Sequence, residues 1–148
     1  MAQPHLADPG FEFRHSTDVQ LRFGDIDMFG HVNNNVYLQL FDIAKYDYFR
    51  QVMGPEFDIR ALAMVVVNIN CDFLAPAFLD ERLRVLTACA SVGDKSLRLL
   101  QRVINADTGQ IKCQATTVMA TFDPATMTSG PVDPAARAAL RAYEQRGL

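Results

Sequence analysis

Between residues 25 and 35 the chain carries two carboxylates, Asp25 and Asp27, one imidazole, His31, and three successive amides, Asn33, Asn34 and Asn35. Carboxylates and imidazoles are the side chains that move protons or attack electrophilic carbon near neutral pH. Asp, Asn and Gly are equally the residues that build turns and cap helices. Residue types alone leave both readings of this stretch open. No C-x-x-C pair or cluster with metal-ligand spacing accompanies it, so no metal and no cofactor are expected.

The flanking segments decide what the stretch can do. Residues 17–23 alternate Val19, Leu21 and Phe23 with Asp18, Gln20 and Arg22. That two-residue period predicts a half-buried strand, ended by Gly24. Residues 36–53 predict a helix: Val36, Leu40, Ile43 and Ala44 recur at helical spacing, as do Tyr37, Phe41 and Tyr48. One of the three asparagines caps its start, and Gly54-Pro55 stops it. Its polar residues are scattered, which predicts cover over much of its circumference. The chemistry-bearing loop, residues 25–35, thus lies between an apolar strand and an apolar helix.

Four strand-like runs follow, at residues 64–73, 82–91, 96–104 and 111–122. Period two places Val65, Val67, Ile69, Cys71 and Phe73 on one face of the first. It does the same for Leu83, Val85, Thr87 and Cys89 in the second, and for Leu97, Leu99 and Val103 in the third. Short turns at 93–95 and 105–109 require antiparallel neighbours. Asp133-Pro134 opens a short terminal helix within 132–146. The expected fold is α+β, a curved antiparallel β-sheet wrapped around one long central helix. Residues 1–148 form a single domain. Residues 1–15 are an irregular lead-in whose Phe11 and Phe13 dock on the body.

Composition narrows the function classes. With 148 residues, 49% of them hydrophobic and 21% charged, the chain has material for one real core. A formal net charge of -3 offers no basic excess for nucleic acid. No apolar run approaches a membrane span and no signal-peptide pattern opens the chain, so a cytoplasmic protein with no membrane partner is expected. Three widely spaced cysteines, Cys71, Cys89 and Cys113, read as small core residues.

The string Phe23-Gly24-Asp25-x-Asp27-x-x-Gly30-His31-Val32-Asn33-Asn34-x-x-Tyr37 resembles the signature of hotdog-fold acyl-CoA thioesterases of the 4-hydroxybenzoyl-CoA thioesterase type. The likeness continues through Phe73-Leu74-Ala75-Pro76, the acidic turn Asp80-Glu81, the turn Gly93-Asp94-Lys95-Ser96, and Thr108-Gly109. It covers roughly residues 17–131. The resemblance implies hydrolysis of an acyl-CoA thioester, with Asp27 as nucleophile or general base. It implies an oxyanion donor at the first turn of the helix, by position the backbone N–H of Asn34. His31 would brace the loop or shuttle a proton, and Asp25 would fix the loop by binding backbone N–H groups. Gly30 would supply a conformation that a side chain forbids.

The acyl group is expected beside the helix, against Phe23, Met28, Phe29, Tyr37 and Met64. Coenzyme A is expected largely outside the body, its phosphates near Lys95 and Ser96. Gly93 and Asp94 stand where some relatives are basic. The resemblance also implies a homodimer joined edge to edge, with active sites at the interface, and often a homotetramer. The alternative is a non-catalytic acyl-CoA-binding module, against which the presence of Asp27 weighs. The acid–histidine pattern of a hotdog dehydratase is not found.

Overall fold

The computed structural model describes residues 6–148; residues 1–5 of the expected lead-in lie outside the described residues. Strand β1 is His15–Val19, helix α1 Asn34–Met53, and strands β2 to β5 are Met64–Phe73, Leu83–Val92, Ser96–Asn105 and Ile111–Thr121. Helix α2, Pro134–Glu144, closes the chain. The five strands form one antiparallel sheet in the order β1-β3-β4-β5-β2. It curves around α1, the hotdog arrangement. Among the described residues no helix is long and apolar enough to cross a membrane.

The apolar rows build one face. Leu83, Val85 and Cys89 of β3, Leu97, Leu99 and Val103 of β4, and Cys113, Ala115 and Met119 of β5 are all buried. They meet Val36, Tyr37, Leu40, Phe41, Ala44, Tyr48 and Phe49 of α1. Gln101 sits in the same row and is buried; its amide donates to Phe41 O at 3.0 Å and to Thr87 Oγ1 at 3.1 Å. Asn33 caps α1, its side chain accepting from Asn35 N. Gly54 ends it at φ 96, a backbone state open to glycine. Phe13 and Phe11 do dock, under the Arg102 and Arg146 guanidinium groups.

Three expectations change. The first strand is His15–Val19 rather than residues 17–23, because its partner β3 begins at Leu83, opposite Val19. Past that point Arg22 N turns to Asp25 Oδ2 at 2.8 Å, and residues 23–25 coil into a single 3-10 turn. Leu21 still packs on the core, so the alternation outlasts the ladder.

Secondly, β2 carries a bulge. Val66 pairs with Met119 and Asn68 with Val118, leaving Val67 extra. Directly paired residues share a face, so Met64 and Val66 join Ile69, Cys71 and Phe73 toward the helix, and Val65 falls on the other side.

Thirdly, α1 is covered along one stripe rather than over much of its circumference. Leu38, Ile43 and Tyr46 remain exposed, and β2, an edge strand, exposes Val65, Val66, Val67 and Phe73.

Candidate active site

The loop between β1 and α1 folds back on itself. Ile26 and Val32 form an antiparallel bridge, and Asp27 N donates to His31 O at 2.9 Å. Residues 27–31 are the tip of this small hairpin. Gly30 turns it at φ 80, where any side chain would be strained. Asp25 is buried beneath the loop. Its carboxylate accepts from Arg22 N and from the Arg22 guanidinium at 2.9 Å, and these bonds hold it below the usual carboxylate range. Its carbonyl takes Asn33 N at 2.9 Å, joining loop to cap.

A groove of about 500 Å³ opens beside this loop, lined by Asp27, Phe29, His31, Val32, Asn33, Asn34, Tyr37 and residues 73–76. Asp27 Oδ1 accepts from Phe29 N at 2.9 Å, and Oδ2 has no partner among the described residues. The carboxylate is therefore held by one oxygen and offers the other. Asn34 is the first residue of α1. The next two donors are taken, Asn35 N by Asn33 Oδ1 and Val36 N by Asn33 O, both at 2.9 Å. Asn34 N–H finds no acceptor among the described residues. It carries part of the positive end of the helix dipole into the groove.

Tyr37 is buried along one side, its ring edge-on to Phe73 with centroids 5.6 Å apart. Burial pushes its hydroxyl up to about 12, so it is a neutral donor rather than a base. The His31 ring packs edge-on against Phe78 at 5.3 Å. Burial raises all three thiols above the usual range, Cys89 to about 12, with Cys71 only part-buried. Among the described residues no three His, Cys, Asp or Glu side chains gather as a metal-ion set.

Asp27, His31, Asn34, Phe29 and Tyr37 thus share one groove, and Gly30 shapes it. Phe23 and Met28 do not line it; they are 87% and 90% exposed. Met64 lies elsewhere, in a cavity of about 150 Å³ with Tyr46, Phe49, Leu62 and Met119, rimmed by Asp42 and Lys45. Lys95 and Ser96 lie at that same end: Met64 pairs with Thr121, whose N–H donates to Lys95 O at 2.9 Å. The length of β2 separates this end from Phe73, roughly 30 Å at the rise of a strand. The groove wall at residues 73–76 was not singled out from sequence as part of the site. Its residues meet the loop only through the fold; the resemblance carried by Phe73-Leu74-Ala75-Pro76 is the signal that marks them in the sequence.

Comparison with known proteins adds an independent line. Residues 21–140, most of the chain, match the profile of the thioesterase-like superfamily. Over 100 residues the chain is 29% identical to the long-chain acyl-CoA thioesterase FadM of Escherichia coli K12, covering 67% of this chain and 76% of that one. It is 32% identical over 81 residues to YsmA of Bacillus subtilis, covering 55% of this chain and 54% of that protein, about half the length of each. A thioesterase of Thermus thermophilus, solved with coenzyme A and zinc, superposes with a TM-score of 0.81 at 29% identity, over 92% of this chain and 98% of that one.

Proposed function

Because the chain belongs to the thioesterase-like superfamily, we propose that it hydrolyses an acyl-CoA thioester to a free carboxylic acid and coenzyme A, with Asp27 as the catalytic carboxylate. The observation that carries this reading is the pairing, in one groove, of an Asp27 oxygen without a partner and the unpartnered Asn34 N–H. Asp27 Oδ2 attacks the thioester carbon directly or takes a proton from the attacking water. Negative charge then grows on the thioester oxygen, and Asn34 N–H, fixed at the start of α1, is oriented before the reaction begins. Phe29, Tyr37 and Phe73 give the groove an apolar wall beside the reacting carbon. Asp25 takes no part in the chemistry; it holds the loop through Arg22. His31 braces the loop against Phe78.

The active unit in this reading is a homodimer in the cytoplasm. Edge strand β2 carries an exposed apolar run, and α1 leaves Leu38, Ile43 and Tyr46 uncovered. Two copies pairing antiparallel through β2 would bury both surfaces. The same pairing would set Met64, Lys95 and Ser96 of one copy beside Phe73 and the Asp27 groove of the other. The residues expected to bind the acyl chain and the coenzyme A phosphates then act across the interface.

Release of free thiol from a panel of short, long and aromatic acyl-CoAs tests the reading, with wild type compared against Asp27→Asn. Substrate turnover by wild type and a loss of at least ~100-fold in the variant are expected. Tight acyl-CoA binding with no release by either protein would overturn it in favour of a binding module.

A further inference from the structure

Lys112 is buried to 3% exposure, unusual for a lysine, and the sheet puts it there by a register break. Val103 pairs with Cys113 and Ile104 with Ile111, so Lys112 is the extra residue of a bulge in β5. A bulge re-aims a side chain, and here the ammonium reaches under the connection between β2 and β3. It donates to Glu81 Oε1 at 2.7 Å and to Pro76 O at 2.9 Å. The carbonyl of the same residue accepts Leu74 N at 2.8 Å and Ala75 N at 3.2 Å. Glu81 completes the frame: Oε1 also accepts from Asn105 Nδ2, and Oε2 from Phe78 N, both at 2.8 Å.

The frame holds what the site needs held. Leu74, Ala75 and Pro76 are groove wall. Ala77 O accepts Val32 N at 2.8 Å, and Phe78 carries the His31 ring. Val32 in turn bridges Ile26, the residue before Asp27. A buried ion pair is seldom more stabilising than well-packed apolar side chains of the same volume. What it adds here is directed geometry, with ammonium and carboxylate oxygens each aimed at a particular backbone group.

We infer that Lys112 and Glu81 are positioning residues of the Asp27 site, fixing residues 74–78 and through them the loop that carries the catalytic carboxylate. The inference rests on the thioesterase reading for its catalytic consequence but not for its structural one, and the test separates the two. Lys112→Met alone strands the Glu81 charge and risks misfolding, so the neutral double variant Lys112→Met/Glu81→Gln is compared beside it.

Amide hydrogen exchange and acyl-CoA hydrolysis are measured on each. In the folded double variant, exchange at the amides of Val32, Leu74, Ala75 and Phe78 should quicken at least ~10-fold while the β3–β4 ladder is unchanged. With wild type active, kcat should fall at least ~10-fold with a smaller change in KM, as displacement of a reacting group by about an ångström requires. Unchanged exchange at Val32, exchange raised equally in every strand, or an undiminished kcat would overturn the inference. An inactive wild type would instead overturn the thioesterase reading, and exchange alone would then decide the role of the pair.

Discussion

Asn34→Pro removes the N–H from the proposed oxyanion site, along with the Asn34 side chain, while leaving the helix start intact. The position tolerates proline for reasons visible in the structure. Asn34 is the first helical residue, where the fixed φ of proline suits the helix and the lost N–H has no intrahelical partner. Asn33, the residue before it, stands at φ -63 and ψ 140, the extended state that a following proline demands. The cap bonds from Asn35 N and Val36 N to Asn33 are untouched. Stability should therefore change by less than ~1 kcal/mol, a shift in Tm of a few degrees at this chain length. Loss of one oxyanion donor, by contrast, lowers kcat by ~100- to 1000-fold. Asn34→Ala is the control, since it deletes the side chain and keeps the N–H; its kcat should stay within a few-fold of wild type. Both variants are assayed for thiol release at saturating acyl-CoA, with melting curves alongside. Equal kcat in the folded proline and alanine variants would refute the donor assignment. So would a rise in KM at constant kcat, which would mean that the pyrrolidine ring merely obstructs the groove.

Glu144 closes a buried knot between α2, α1 and β3. Its Oε1 accepts from Tyr48 Oη at 2.6 Å and from Cys89 N at 2.8 Å, and Arg146 lies at 3.4 Å from Oε2. Glu144→Ala leaves the Tyr48 hydroxyl without its acceptor and Arg146 without its carboxylate, though Cys89 N keeps Tyr48 Oη at 3.2 Å, and should destabilise by about 2–4 kcal/mol, read from urea unfolding at fixed protein concentration; a change under ~1 kcal/mol would show the knot to be dispensable. Val67 is the exposed, bulged residue of the edge strand. Val67→Asp should be nearly neutral in one chain but place two unpaired charges at the proposed interface, weakening self-association at least ~100-fold by sedimentation analysis. An unchanged dimer would move the interface away from β2.

The strand–loop–helix order, the Asn cap, the Gly54 stop and the loop that carries Asp27 and His31 were legible in the sequence because each is settled within a few residues. Alternation at Val19 and Leu21, helical spacing from Val36 to Phe49, and the crowding of Asp27, His31 and Asn34 are local facts. The apolar rows of β3 and β4 were legible for the same reason. What the sequence could not supply depends on which backbones lie side by side. Only pairing with β5 makes β2 an edge and leaves Val67 unmatched, although three successive valines, Val65, Val66 and Val67, were a hint that strict alternation fails there. Only the register of β4 against β5 turns Lys112 inward, where a period-two reading has no place for a buried ammonium. The groove wall at 73–76 meets Asp27 across some fifty residues of chain, and Lys95 and Ser96 are carried to the far end of the sheet by the same topology. Local sequence determined the elements and the reactive groups. Ladder register and strand order, set by long-range hydrogen bonding and burial, decided which of those groups share a site.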